Sequence, residues 1–295
     1  MSLLETSDVR KRFDDRRVLE GVDLAVEAGE LVVLMGPNGA GKSVLLSCLA
    51  GSATPDDGTI SLFDGCGPTD PAAKGRTSVT LQGGIADPGL TGRENIAFYR
   101  DLHPSAGNRW RELADRFGIA DDLDRPVQEY SGGMVRRLEA TIALSADVPL
   151  YLLDEPTAEL DLSVVQTIHE TIRELTDEGR TVVLSSHAPL DADVADRLVF
   201  LTDGSVVASG PPDELLSTLP TVVRARGTSL PTERLLEGQT FGNGDEQRAF
   251  LPPETSVDDL EIGDGALGER DRSTYTDLFN YYAHVRSENR SERTQ

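Results

Sequence analysis

The eight residues Gly36-Pro37-Asn38-Gly39-Ala40-Gly41-Lys42-Ser43 constrain this chain more than any other feature. They fit the phosphate-binding pattern G-x-x-x-x-G-K-[ST]. An apolar run, Leu31-Val32-Val33-Leu34-Met35, leads into them; a helical pattern from Val44 to Ala50 leaves them and stops at Gly51. Strand, glycine-rich loop and helix in that order are the context the pattern needs. The glycines let backbone N–H groups curl around an anion without Cβ clashes, and the helix N-terminus adds partial positive charge. Lys42 is then placed to bridge the β- and γ-phosphates of a nucleotide, and the Ser43 hydroxyl to bind Mg²⁺. A chance match in a chain of this composition is on the order of one in a few hundred. One of only three lysines, beside Lys11 and Lys74, stands in the loop.

Organisation along the chain agrees with a nucleotide-binding α/β domain. Val22, Leu24 and Val26 alternate with Asp23, Ala25 and Glu27, a half-buried strand. Residues 52–83 hold short strands among turn residues, and from about 91 to 146 the pattern turns helical, with Trp110, Leu113, Ala114 and Phe117 on one apolar face. Val148 to Leu153 and Thr181 to Ser185 read as buried strands. Between them Asp161 can cap a helix with the apolar stripe Leu162, Val165, Ile168, Ile172 and Leu175, ended by Gly179. Leu198 to Leu201, Asp203-Gly204 and Val206 to Ala208 read as a hairpin. Strands alternating with helices around a phosphate loop predict a mainly parallel sheet. Past residue 217, Pro, Gly and Asp cluster repeatedly, leaving one short strand at Val222 to Ala225 and a final helix over Tyr275 to Arg286. That segment reads equally as a small packed appendage or a solvated extension.

Charge narrows the classes. Acids number 51 and bases 28, almost all Arg, for a formal net charge of −23. This fits an ordinary acidic cytosolic protein, but scarce lysine with surplus carboxylate favours adaptation to molar salt, where fixed charges are screened within about 3 Å. The same surplus argues against nucleic acid and anionic lipid as partners. No apolar run approaches the ~18 residues of a membrane span, and Met1-Ser2-Leu3-Leu4-Glu5 lacks the basic-then-apolar order of a signal peptide. Cys48 and Cys66 make neither a disulfide framework nor metal spacing. The expectation is a soluble cytoplasmic chain.

Two further motifs follow the phosphate loop. Leu150-Tyr151-Leu152-Leu153-Asp154-Glu155 is an apolar strand ending in two carboxylates; Asp154 suits Mg²⁺ and Glu155 an attacking water. Upstream, Tyr130-Ser131-Gly132-Gly133-Met134 opens a helical pattern with Arg136 and Arg137 behind it. Ser-Gly-Gly at a helix start is a second anion site by the same backbone logic, or a plain helix cap.

Taken together, these motifs over about residues 3–216 resemble the ATP-binding-cassette (ABC) ATPases. Phe13 matches the aromatic that stacks on adenine, and Gln82 the glutamine that senses the γ-phosphate and Mg²⁺. Residues 130–134 match the signature, usually Leu-Ser-Gly-Gly-Gln. Asp154 and Glu155 match the metal-holding and catalytic carboxylates, Leu160-Asp161 the dimer-contact loop, and His187 the switch histidine. Tyr130 and Met134 depart from the signature in a form that looks like the drug-exporter and ABC-2 branch. The resemblance implies a P-loop NTPase cassette over 1–216, with a RecA-like core, an antiparallel β subdomain and a helical signature subdomain at about 84–146, plus a C-terminal extension over 217–295. It implies ATP and Mg²⁺ and a second cassette, either another copy or a related ATPase, whose bound γ-phosphate Ser131, Gly132 and Gly133 would touch. A separate transmembrane permease would hold the chain peripherally at the inner face of the membrane, with export favoured over import. The alternative is a soluble member of the family with a non-transport role such as cluster assembly. Glu155, Gln82 and His187 together argue against a non-hydrolysing binding module.

Overall fold

A computed structural model describes residues 2–81, 83–103, 108–227, 229–242, 245–257, 260–262, 266–267 and 269–285. Two twelve-residue strands, β1 (Ser2–Phe13) and β2 (Arg16–Glu27), pair antiparallel. The expected alternation holds in β2, where Val22, Leu24 and Val26 are buried and Asp23, Ala25 and Glu27 exposed. After β2 come β3 (Leu31–Met35), α1 (Lys42–Leu49) and β4 (Asp57–Leu62), the last pairing with the other edge of β1. A single turn, α2 (Pro71–Lys74), precedes β5 (Thr77–Thr80). Three helices follow: α3 (Gly92–Leu102), α4 (Trp110–Arg116) and α5 (Gly132–Leu144). Next are β6 (Leu150–Asp154), α6 (Leu162–Asp177), β7 (Thr181–Ser186), β8 (Arg197–Thr202), β9 (Ser205–Gly210) and α7 (Pro212–Ser217).

The central sheet has the order β5-β6-β7-β3-β8-β9. All its pairings are parallel except β8 with β9, which meet antiparallel through the hairpin at Asp203-Gly204. Every residue of β3, β6 and β7 is buried. Such uninterrupted apolar strands follow from a parallel sheet covered on both faces. Side chains of β3 alternate between two cores, as a period of two requires. Leu31, Val33 and Met35 pack with Phe117, Leu144, Ile168 and Ile172, whereas Val32 and Leu34 pack with Leu45, Leu46 and Leu49 of α1 and with Val22 and Val26 of the antiparallel sheet. Each such side chain contributes about 1.5–3 kcal/mol. The phosphate loop therefore starts at a point held from above and below.

Helix α4 is a joint. Trp110 and Ala114 join Ile96, Leu123 and Leu138 in a separate helical core, while Leu113 on the same helix and Phe117 at its C-cap enter the sheet's core. Three sequence expectations are corrected. Residues Val148 and Pro149 lie before β6, which starts at Leu150. Leu162 is 59% exposed, because it opens α6 at its solvent end and lies outside the buried stripe of Val165, Ile168, Ile172 and Leu175. Asp161 occupies the N-cap position of α6 without a side-chain cap hydrogen bond; its carboxylate pairs with Arg137 at 3.5 Å instead.

The segment past 217 has a core of its own. β10 (Val222–Arg226) lies between β11 (Glu246–Phe250) and, after the short pair β12 (Glu261–Ile262) and β13 (Ala266–Leu267), β14 (Glu269–Asp271). Val223, Ala225, Leu230, Ala249 and Leu251 are buried together. Helix α8 (Tyr275–Asn280) winds on into a π-helical turn, Tyr281–Val285. The expected end at Arg286 lies outside the described residues. Leu278 and Tyr282 enter the core of the central sheet, the Tyr282 ring stands 4.9 Å from that of Phe200, and Thr202 donates to the Tyr282 carbonyl at 3.3 Å. Arg248 ties the segment together by donating to Asp277 at 2.7 and 2.9 Å, to Asp271, and to the Arg272 carbonyl at 2.9 Å. Among the described residues, no helix is long and apolar enough to cross a membrane.

Candidate functional site

The phosphate loop owes its shape to two glycines that no other residue could replace. Gly36 has φ +145°, and a Cβ there would lie 2.0 Å from the Leu201 carbonyl oxygen. Gly41, at φ +104°, is the N-cap of α1; a Cβ would stand 2.7 Å from the Val18 carbonyl oxygen. No side chain caps α1, so its first N–H groups remain available to an anion. Lys42 is buried and its ammonium donates to the carbonyls of Gly36 at 2.7 Å and Pro37 at 3.1 Å, which fixes it along the loop. Burial pushes its pKa down, against the opposing pull of the Glu155 and Asp154 carboxylates. Arg16, Val18, Asn38, Gly39, Lys42, Ser43 and Glu155 line one open cleft beside the loop.

Strands β6 and β7 deliver the remaining groups to this cleft. The Ser43 hydroxyl donates to Asp154 Oδ1 at 3.1 Å, and Ser185 donates to the same oxygen. The Ser185 hydroxyl also accepts from the Glu155 N–H at 3.1 Å, while that N–H lies 3.2 Å from the Ser185 carbonyl. These bonds hold Glu155 at φ +48°, a conformation that costs a non-glycine residue about 1–3 kcal/mol. His187, just past β7, presents Nδ1 to Glu155 Oε1 at 3.0 Å. Ser43 and Asp154 offer hard oxygen ligands, and no group of three His, Cys, Asp or Glu able to hold a metal occurs among the described residues. That donor set suits Mg²⁺, which takes one or two protein oxygens and fills its shell with phosphate oxygens and water.

The other expected residues lie apart from this cluster. Phe13 ends β1 half-exposed, with the Lys11 ammonium 5.4 Å from its ring centre. Ser131 caps α5 by accepting from the Met134 N–H at 3.3 Å, so the plain-cap reading of this residue is met. A Cβ on Gly132 would approach Glu159 Oε2 at 2.9 Å, and one on Gly133 the Glu159 carbonyl at 3.5 Å. The signature therefore faces the loop of Glu159, Leu160 and Asp161 in its own chain and is absent from the described lining of the phosphate cleft. Tyr130, which replaces the usual Leu, is partly buried, and its hydroxyl donates to the Asp122 carbonyl at 2.6 Å. Gln82 lies outside the described residues.

Several supporting residues carry no signal in the sequence. Ser185 is an ordinary strand serine until β7 brings it beside Asp154. Arg16 is a hairpin arginine until it is placed over Gly39, whose Cβ would stand 3.6 Å from its guanidinium. Glu139 is nearly fully buried in α5, accepts from the Ile85 N–H at 2.8 Å and pairs with Arg136 at 3.3 Å. It anchors the segment that follows Gln82.

The ABC transporter family model matches residues 19–158. The daunorubicin/doxorubicin resistance ATP-binding protein DrrA of Streptomyces peucetius is 36% identical over 284 residues, covering 92% of this chain and 85% of that protein. The Nod factor export ATP-binding protein I of Burkholderia lata is 36% identical over 224 residues, 73% of each chain. A solved ATP-binding subunit of an ABC transporter superposes with a TM-score of 0.67 at 26% identity, covering 73% of this chain and 92% of that one. With the cassette fold, the phosphate loop and relatives at this level of identity, the chain belongs to the ATP-binding subunits of the ABC transporter family, ATPases coupled to transport.

Proposed function

We propose that this chain works as one half of a two-copy ATPase that drives export through a separate membrane permease. One observation carries the reading. Lys42, Ser43 and Glu155 line one cleft, with Asp154 bonded to Ser43 and His187 to Glu155, whereas Ser131, Gly132 and Gly133 open a different helix, where Gly132 and Gly133 lie against Glu159 and Leu160 of their own chain. A second cassette placed head to tail brings its signature to the γ-phosphate held by the first. The exposed Leu162 and Leu190 flank the loops of Asp161 and His187 and give such a contact apolar area.

In this reading the cassette spans 1–216 and the extension 217–295. Phe13 stacks on adenine, and residues 36–43 cradle the phosphates with Lys42 on the β- and γ-groups. Ser43 and Asp154 would hold Mg²⁺, which when bound would supply charge neutralisation at those phosphates. Glu155 orients water and takes its proton, a role worth about 10²–10⁴-fold. His187 holds Glu155 in place through Nδ1, and in this reading it would stabilise charge on the γ-phosphate. Positioning and electrostatics supply most of the acceleration in phosphoryl transfer. The names of the two relatives above, a resistance protein and an export protein, favour outward transport of an organic cargo. The acid surplus fits work in molar salt.

ATP turnover against protein concentration in molar KCl tests the core of this. Turnover rising as the square of concentration at low protein, and vanishing in Glu155→Gln while ATP still binds, is the expected result. Turnover strictly proportional to protein down to the lowest concentrations, or wild-type hydrolysis in Glu155→Gln, would overturn it.

A further inference from the structure

We propose that Asp191 is a positioning residue for hydrolysis, acting by tying the loop after Glu155 to the strand end before His187. Asp191 lies in the 3-10 turn Pro189–Val194 and is 1% exposed. Its carboxylate takes three hydrogen bonds from three separate parts of the chain. Thr157, two residues past Glu155, donates to Oδ2 at 2.8 Å. Ser186, the residue before His187, donates to Oδ2 at 2.5 Å. His169, from the buried face of α6, presents Nε2 to Oδ1 at 2.6 Å.

The Ser186 hydroxyl makes a second bond that sharpens the role. It accepts from the Ala188 N–H at 2.8 Å, so the residues on both sides of His187 are held through one oxygen. Asp191 thereby fixes the backbone under His187 and, through Thr157, the backbone just past Glu155. The His187 Nδ1 to Glu155 Oε1 distance of 3.0 Å is set between these two anchored points. Burying a carboxylate is costly unless every lone pair is used, and packing alone gives no reason to keep one here, since the neighbouring Ala192 is an ordinary core residue. A misplacement of about 1 Å at reacting groups costs on the order of 10²-fold in rate, so a carboxylate that sets two loops at once has large leverage on turnover and little on ATP binding, which rests on the phosphate loop.

The inference rests on reading Glu155 and His187 as the hydrolytic pair, and the experiment separates the two. In the full chain, Asp191→Asn is expected to lower kcat by about 10-fold or more while KM for ATP stays within about 2-fold. Thr157→Val and Ser186→Ala each remove one bond with the carboxylate intact; smaller kcat losses with the same unchanged KM are expected. They carry the test should Asp191→Asn unfold. In single-turnover assays Asp191→Asn should cost clearly less in a His187→Ala background than in the wild type, because much of its effect runs through His187. Wild-type kcat in all three variants, alongside a collapsed kcat in His187→Ala, overturns the role of Asp191 and leaves the site reading standing. Losses that add fully to that of His187→Ala, or that track a fall in Tm and a rise in KM, also overturn it as a merely structural effect. Wild-type kcat in His187→Ala itself overturns the site reading beneath it.

Discussion

Helices α1 and α5 both begin at glycine-rich turns, and they begin very differently. At α1 the loop is walled by the Leu201 and Val18 carbonyls, no side chain spends the first N–H groups, and a buried lysine lies alongside. At α5 the Ser131 hydroxyl already caps the helix, and a Cβ on Gly132 or Gly133 would meet Glu159 and Leu160. One start leaves its N–H groups open to an anion; the other is closed by its own serine cap. In the proposed reading, a chain with both supplies two halves of a site that face different ways. The Glu155–His187 pair lies with the open half, so on the proposed reading a single copy would bind nucleotide and need the other copy's signature to complete hydrolysis.

Substitutions at these two starts should separate them sharply. Gly36→Ala drives a Cβ against backbone that cannot yield, and destabilisation upwards of about 4 kcal/mol with loss of ATP binding is expected in denaturant and binding titrations. Arg248→Met bears on neither start; leaving the buried Asp277 without its partner should cost about 3–5 kcal/mol, while any chain still folded binds ATP normally. Lost ATP affinity in the folded fraction would mean that the extension reaches the cleft. Ser131→Ala gives up a helix cap worth about 1 kcal/mol. Its turnover should fall by about 10²–10³-fold, the scale for removing a transition-state donor, with ATP affinity intact. Gly132→Ala is the mildest for stability: the added Cβ meets only the flexible end of Glu159, and a helical position gains about 0.5–1 kcal/mol from the exchange. A stability loss there as large as at Gly36 would erase the contrast.

How much of this was legible beforehand follows from where each group's chemistry is written. The phosphate loop works through adjacent residues, so its spacing betrays it, as does the strand that ends in Asp154 and Glu155. Buried strands β3, β6 and β7 announce themselves by unbroken apolar runs. Ser185, Arg16, Glu139 and Asp191 carry no local pattern; each acquires its role only when distant segments meet, as Ser43 and Asp154 do across 111 residues. Strands β11 and β14 were missed because charged and polar residues dominate them and their pairing to β10 uses Arg224 and Arg226 against Glu269 and Glu246. Leu162 misled because helical periodicity marks a face without saying where along the helix burial begins.

Mixing two inactive chains tests the central claim most directly. A Lys42→Ala chain lacks the cradle and keeps the signature; a Ser131→Arg chain lacks the signature and keeps the cradle. Each alone should hydrolyse almost no ATP. If the site is shared between copies, their mixture regains turnover, because the intact cradle of one meets the intact signature of the other, with a maximum near equal amounts. Mixtures that stay as inactive as their parts at every ratio and concentration would contradict a site built from two copies.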